Sequence, residues 1–199
     1  MNPTSVVFFG ISGAGKGTQC DLLQKYLNEN DPSRVVLHPD MGALARTFME
    51  TDTSLAVKTR EVLGSGSLMP SFIPIYLLTQ AMNQQFTGHE HVIFDAVARR
   101  PAQSIAIDEM MRFWNRTNLN AIALTLTKET ARARLHARGR YDDAQDEIIN
   151  NRFSWYETNV VPAIDTLREL GWTIHTIDAE PDIETIHKNV LVALDLPLK

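Results

Sequence analysis

The chain has 199 residues and a formal net charge of -5, with 44% hydrophobic and 22% charged residues. This length suits one domain with a single core, and the acidic balance argues against general nucleic-acid binding. No apolar run approaches the roughly 18 residues of a membrane helix, and the amino terminus lacks the basic region of a signal peptide, so we expect a cytoplasmic protein. Cys20 is the single cysteine, which excludes an internal disulfide and a cysteine zinc cluster.

A glycine-rich loop follows the first predicted strand. Residues 5–9 are rich in β-branched and aromatic side chains, which indicates a buried strand, and apolar residues in 19–27 recur at helical spacing. Strand, glycine loop and helix together can form a phosphate cradle, because backbone N–H groups and the positive end of the helix hold an anion. A turn that only connects two elements is the weaker alternative. The predicted cradle consists of Ser12, Gly13, Ala14, Gly15, Lys16, Gly17 and Thr18, with the Lys16 charge directed at the outer phosphates.

Strands alternate with helices along the rest of the chain. Further strands are predicted at 35–37, 91–95, 121–126 and 171–177. This alternation predicts an α/β fold with a five-stranded, doubly wound parallel sheet flanked by helices.

Three short helices between the second and third strands exceed what a simple crossover needs. They are predicted to begin near Asp40, after Thr53 and at Pro70, the last with Tyr76 on its inner face. We therefore expect a small helical subdomain inserted on the sheet.

Charged side chains in the second half of the chain suit the transfer of a phosphoryl group, which needs concentrated positive charge. Asp95 ends a predicted strand, so it should face the ligand crevice beside the glycine loop. Arg134 and Arg138 lie four apart on one helix face, and Arg140 and Arg152 could approach them if the flanking helices form a hairpin. A solvated helix face is the alternative for these arginines. His89 and His91, without a further ligand cluster, are expected at the surface rather than in a metal site.

The loop departs from the general phosphate-loop pattern, because Gly17 follows the lysine and the hydroxyl comes one residue later at Thr18. With Gln19 next, this variant resembles the nucleoside monophosphate kinases, adenylate kinase above all. The segment 134–143, with sequence RLHARGRYDD, resembles the lid of the short-lid form of that family. The correspondences run in unbroken order from residue 6 to about residue 186.

On the donor side, the resemblance implies that Arg134 and Arg138 hold ATP and that Arg140 and Arg152 reach the phosphates in transfer. The loop that contains Pro181 is similar to the one whose main chain meets the donor adenine. Thr18 and Asp95 are implied to orient Mg²⁺ through water, with no direct protein ligand and no zinc site. The residues to which the resemblance gives catalytic roles are Lys16, Arg99, Arg134, Arg138, Arg140 and Arg152.

On the acceptor side, residues 95–103 stand where the family has an Asp-Gly-Phe-Pro-Arg signature followed by a glutamine. The resemblance implies that Arg99 and Arg46 bind the acceptor phosphate and that Gln103 reads adenine. Gly42 belongs to the Gly-x-x-x-Arg pattern that ends at Arg46, and Met69 to a segment that lines the base pocket. Four residues in these segments depart from the family pattern: Met41, Ala96, Val97 and Ala98.

The activity implied is Mg²⁺-dependent phosphoryl transfer from ATP to AMP, giving two ADP, by a monomer that binds neither nucleic acid nor membrane. A UMP/CMP kinase and a nucleotide-binding regulator without catalysis are the alternatives. The division implied for the single domain, 1–199, is a core of 1–37, 88–137 and 145–199, an NMP-binding subdomain of about 38–87 and a short lid of about 138–144.

Overall fold

The computed structural model describes residues 2–64, 69–139 and 145–198. Within these ranges, five parallel strands form one sheet in the order β2-β3-β1-β4-β5. The strands are β1 (Ser5–Gly10), β2 (Val36–Leu37), β3 (His91–Asp95), β4 (Leu119–Thr125) and β5 (Thr173–Asp178). This sheet confirms the α/β fold class predicted from the sequence.

Helices cover both faces of the sheet. The first five are α1 (Lys16–Asn30), α2 (Met41–Met49), α3 (Ser54–Gly64), α4 (Phe72–Asn83) and α5 (Pro101–Phe113). The remaining ones are α6 (Lys128–Arg138), α7 (Asp146–Trp155), α8 (Val161–Glu169) and α9 (Ile183–Ala193), with a π-helical turn, Tyr156–Val160, between α7 and α8.

The central strand β1 has no solvent-facing side. Val6 and Phe8 pack in the core that α1, α6, α7 and α9 form on one face, whereas Val7 and Phe9 pack under α2, α4, α5 and α8 on the other. A strand covered on both faces has no reason to alternate polar with apolar residues. The uninterrupted apolar run before the glycine loop is the result.

Polar side chains cap the starts of α2 and α6. The carboxylate of Asp40 accepts a hydrogen bond from the Gly42 backbone N–H at 2.7 Å, and the Thr127 hydroxyl accepts one from the Thr130 N–H at 3.2 Å. Both residues are N-caps, which satisfy donors that a helix leaves free in its first turn. Tyr76 contradicts the prediction for α4, because its side chain is 49% exposed while the inner face of the helix is formed by other apolar residues.

His91 also differs from expectation, since it is fully buried in β3 rather than at the surface. Its Nδ1 accepts a hydrogen bond from the Thr4 N–H at 3.0 Å, so Nε2 carries the proton and lies 3.2 Å from an Asp31 carboxylate oxygen. Burial lowers the pKa of His91, although Asp31 opposes this effect. His91 therefore ties the start of β3 to the end of α1 and to the residue before β1, and His89 is exposed as predicted. None of the helices in the described ranges is both long and apolar enough to cross a membrane.

Candidate active site

The carboxyl ends of the strands bring the candidate site together. The glycine loop leaves the central strand β1, and Asp95 is the last residue of the neighbouring strand β3. Asp40, just beyond β2, forms an isolated parallel bridge with Asp95. Ligands of open α/β sheets bind at this edge, beside the strand where the chain changes direction. The tertiary structure thus places the loop and the predicted carboxylate at one crevice.

Glycine is required in the loop for two different reasons. Gly13 has a φ of 91° and no room, because a Cβ there would lie 2.5 Å from the Ala131 carbonyl oxygen. Gly15 has open space around it, but its φ of 86° lies in the left-handed region that L side chains rarely adopt. Gly15 is also the N-cap residue of α1, so no side chain there competes for the first N–H groups of the helix. These groups are available to an anion.

Lys16 is held against the loop that precedes it. Its Nζ donates hydrogen bonds to the carbonyl oxygens of Gly10 at 2.7 Å and Ile11 at 3.1 Å. Burial lowers the pKa of Lys16 to about 8, and the nearby Asp95 carboxylate opposes that shift. A lysine in this state can move its charge from the carbonyl groups to a bound phosphate at little cost.

Asp95 faces the first turn of α1. A Cβ on Gly17 would lie 3.5 Å from one Asp95 carboxylate oxygen, so the missing side chain leaves that oxygen accessible. Burial raises the pKa of Asp95, whereas the positive charge of Lys16 lowers it. Thr18 is exposed on the same turn of α1. Oxygen groups of this kind, held beside a phosphate site, suit a hard divalent cation.

Electrostatic effects indicate where several of the predicted arginines lie. Desolvation and the nearby charge of Arg152 lower the pKa of Arg99, although the residue is exposed at the surface of the protein. The charge of Arg138 contributes, as a smaller cause, to the lowered pKa of Lys16. These effects require Arg152 to lie near Arg99, and Arg138 to lie near Lys16. Arg140 lies outside the described residues.

Arg134 binds the loop that precedes α9. Its guanidinium donates to the backbone carbonyl oxygen of Ala179 at 2.9 Å and to that of Glu180 at 3.4 Å. The side chain therefore lies beside Pro181, the next residue, which the sequence assigned to the donor base. Arg134 and this loop form one unit at the edge of the crevice.

In the segment that the sequence assigned to the acceptor, Arg46 and Asp40 face each other across the start of α2. Arg46 Nη2 lies 3.7 Å from an Asp40 oxygen, and both side chains are largely exposed. A Cβ on Gly42 would come within 3.2 Å of the Arg46 guanidinium, so the glycine leaves space for that side chain. Met69 packs, partly buried, against the core under α2 and α4.

Gln103 is buried at the start of α5, and its orientation can be read from its partner. The side-chain oxygen accepts a hydrogen bond from the Arg99 backbone N–H at 2.6 Å. Because a backbone N–H only donates, the amide group must direct its oxygen there, and the NH₂ remains for another partner. Gln103 also borders a small apolar cleft between α4 and α5, lined by residues that include Leu78 and Val97.

Two residues that the sequence did not assign to the site lie beside Asp95. A ring nitrogen of His38, the Cys20 Sγ and an Asp95 carboxylate oxygen are all within 4.8 Å of one another. Cys20 is fully buried in α1. His38 directly follows β2. The signal that could have found it is the same one that found Asp95, a polar residue where a buried strand ends.

A glycine-rich loop at the carboxyl edge of a parallel sheet, with a lysine inside it and arginines nearby, is typical of nucleotide phosphotransferases. The family model described as "Adenylate kinase" matches residues 8–171. The chain belongs to the adenylate kinase family, and its chemistry is that of a nucleoside monophosphate kinase.

Individual relatives of modest sequence identity are also named adenylate kinases. The "Adenylate kinase" of Leuconostoc mesenteroides is 29% identical over 195 residues, which are 96% of this chain and 97% of the relative. That of Prochlorococcus marinus is 28% identical over 185 residues, or 93% and 95% of the two chains. "Adenylate kinase 1" of Nostoc sp. is 28% identical over 162 residues, or 81% and 83%. The resemblance found in the sequence is thereby confirmed at the level of the family.

Proposed function

We propose that the protein catalyses reversible, Mg²⁺-dependent phosphoryl transfer from ATP to AMP, giving two ADP. The observation that carries this proposal is the convergence of a phosphate loop and several cations at one crevice, with an oriented glutamine amide at its acceptor side. The relatives named above are adenylate kinases, which supports the same choice of substrates.

The loop from Gly10 to Thr18 binds the donor phosphates through its N–H groups and the N-terminus of α1. Lys16 exchanges its two carbonyl partners for phosphate oxygens and follows the charge as it moves. Arg46 and Arg99 hold the acceptor phosphate in line, so an oxygen of that phosphate is the nucleophile and no side-chain nucleophile is needed. Positioning and charge stabilisation then supply the catalysis.

Closure of a short lid, about 138–144, brings Arg134, Arg138, Arg140 and Arg152 over the reacting phosphates. Closure also excludes water, which would otherwise hydrolyse ATP. The Arg134 hydrogen bond to the loop before Pro181 keeps the donor-base segment and the lid helix together. We propose a core of 1–37, 88–137 and 145–199, an NMP-binding subdomain of about 38–87, and a monomer in the cytoplasm.

Thr18 and Asp95 would hold Mg²⁺ through water rather than by direct ligation. The fit rests on the carboxylate of Asp95, which faces the first turn of α1 where Gly17 leaves it uncovered. Bound there with ATP, the ion would neutralise charge on the donor phosphates.

The orientation of Gln103 favours AMP among the possible acceptors. Its NH₂ can donate to a ring nitrogen that accepts, as N1 of adenine and N3 of cytosine do. The corresponding ring nitrogens of uracil and guanine carry protons, so they cannot accept a hydrogen bond from the Gln103 NH₂. A UMP/CMP kinase remains the alternative because Met41 and 96–98 differ from the family pattern. A regulator without catalysis is disfavoured, since a binder has no need of arginines for the transfer step.

The test is ADP formation from Mg-ATP with AMP, CMP, UMP and GMP in turn. We expect AMP to be the best acceptor, CMP to follow, and UMP and GMP to be poorest. A preference for UMP would overturn the role of Gln103 and favour the pyrimidine kinase. Tight ATP binding without product from any acceptor would favour the regulator.

A further inference from the structure

We infer that Cys20, His38 and Asp95 form a binding site for Zn²⁺ beneath the phosphate loop. This site differs from the proposed Mg²⁺ position in its thiol and imidazole ligands. The site is at variance with our sequence-based expectation that the chain has no zinc site. A single cysteine excludes a zinc site made of several cysteines, as in a zinc-binding lid. It does not exclude a site in which one cysteine, one histidine and one carboxylate come from different elements.

The three side chains have the chemistry that Zn²⁺ prefers. Thiolate, imidazole and carboxylate are its usual protein ligands, and three of them with an open fourth position are typical of sites that also bind water or a small anion. The donor atoms lie within 4.8 Å of one another. In a tetrahedral zinc site they would be about 3.5 Å apart, so closure requires movements of about 1 Å.

The hydrogen bond made by His38 leaves its second ring nitrogen able to bind a metal. Its Nδ1 lies 3.1 Å from the side-chain oxygen of Gln24, which accepts, so Nδ1 carries the proton. Nε2 then presents a lone pair, and it is buried without a hydrogen-bond partner among the described residues. A buried unpaired nitrogen is costly. Metal-binding histidines have their second nitrogen bonded to an oxygen in this way, which fixes the ring and its tautomer.

The surrounding charges are mixed. Asp40 and Asp21 act on Cys20 as nearby carboxylates, while Lys16 and Arg99 place positive charge near Asp95. Burial raises the pKa of the Cys20 thiol, so metal binding must release its proton to solvent as the zinc–sulfur bond forms. A harder cation that avoids sulfur, such as Mg²⁺, gains nothing from this thiol or the imidazole.

Zinc in this site would occupy the carboxylate proposed to orient Mg²⁺ and would therefore inhibit phosphoryl transfer. This consequence rests on the proposed function. The binding site itself does not, and its test uses the nucleotide-free protein.

The experiment is titration of the full chain, without nucleotide, with Co²⁺ followed by Zn²⁺. Cobalt bound to a thiolate absorbs in the near ultraviolet, and with one cysteine in the chain the band can only come from Cys20. We expect one Co²⁺ per protein, displacement by Zn²⁺, no band in Cys20→Ala, and at least tenfold weaker binding in His38→Gln. His89→Gln, which changes an exposed histidine elsewhere, is the matched control and should bind as the unmodified chain does.

Absence of the thiolate band in the unmodified chain would overturn the site. So would equal affinity in His38→Gln and in the control, because the metal would then bind without the imidazole. Circular dichroism of each variant separates loss of the site from loss of the fold. The metal titration does not use the kinase assay. The zinc site and the proposed function can therefore be refuted independently of each other.

Discussion

The proposed donor and acceptor halves of the crevice are built differently. In the donor half, the backbone shapes the proposed phosphate site. Gly13 has no room for a side chain, and two main-chain carbonyl groups hold Lys16 in place. In the acceptor half, side chains form the proposed phosphate site. Those of Arg46 and Asp40 are 64% and 44% exposed, so they are not fixed by packing.

The difference is consistent with the departures from the family pattern at 96–98. Phosphate recognition needs a fixed set of N–H groups, so few substitutions are tolerated in the loop. Base recognition depends on a few side chains, and the residues beside them can change while packing is preserved. Val97 and Ala98, for example, stand where the family has phenylalanine and proline, and both are buried in the core.

The largest effect is expected from Arg140→Ala, which removes a cation proposed to reach the transferred phosphoryl group from the donor side. The turnover number should fall by about 10³-fold or more, because a transition-state arginine contributes this much. The measurement is steady-state ADP formation, with circular dichroism to establish that the fold is intact. Arg168→Ala, which removes an exposed arginine of α8, is the control. Turnover within a few-fold of the unmodified enzyme would mean that the lid is misassigned.

Arg46→Ala tests the acceptor half in the same way. The kcat/KM for AMP should fall by about 10²-fold, since a charge-assisted contact to phosphate is lost, while the KM for ATP stays unchanged. Lys58→Ala, which removes an exposed lysine of α3, provides the comparison. An equal effect on both nucleotides would contradict the division into two halves.

Gln103→Glu probes recognition of the base. One carboxylate oxygen can still accept from the Arg99 N–H, but the other cannot donate to adenine. The KM for AMP should rise by about tenfold, in line with an unpaired polar group in a buried site. Initial rates over a range of AMP concentrations measure this change, and the KM for ATP is the internal control. An unchanged AMP constant would remove Gln103 from the base site.

ATP binding should depend on pH through Lys16. With a pKa of about 8, the lysine of the free enzyme loses its charge as the pH rises above that value. The dissociation constant for ATP should then increase by about tenfold between about pH 7 and pH 9, because one unit above its pKa about a tenth of a group remains protonated. Calorimetric titration at several pH values measures the slope. Lys16→Arg, which stays charged throughout, should bind with little dependence on pH, and a flat profile for the unmodified enzyme would refute the shift.

The smallest effect is expected from Ala96→Gly, which restores the residue of the family signature. Ala96 has a φ of 54°, so glycine relieves about 1 kcal/mol of backbone strain, yet it also gives the unfolded chain about 0.4–1 kcal/mol of extra entropy. The free energy of unfolding should change by less than about 1 kcal/mol, as denaturant titration can measure. A larger loss would mean that the Ala96 methyl group is needed for packing, and that the acceptor half has been rebuilt around it.

The sequence by itself determined the fold class, the phosphate loop and the family. These depend on local signals: an apolar run covered on both faces, glycines with a fixed spacing, and capping residues such as Asp40 and Thr127 at the helix starts. Such signals lie within a few residues of one another, so they can be read without knowing what packs against them.

Only the tertiary structure decided which residues share a space. His91 looked like a surface residue until its partners Thr4 and Asp31 were known, 87 and 60 positions away. The direction of the Gln103 amide follows from one backbone N–H. The approach of Cys20 and His38 to Asp95 depends on α1, β2 and β3 meeting at the sheet edge. Contacts between distant segments have no local periodicity, which is the physical reason the sequence could not supply them.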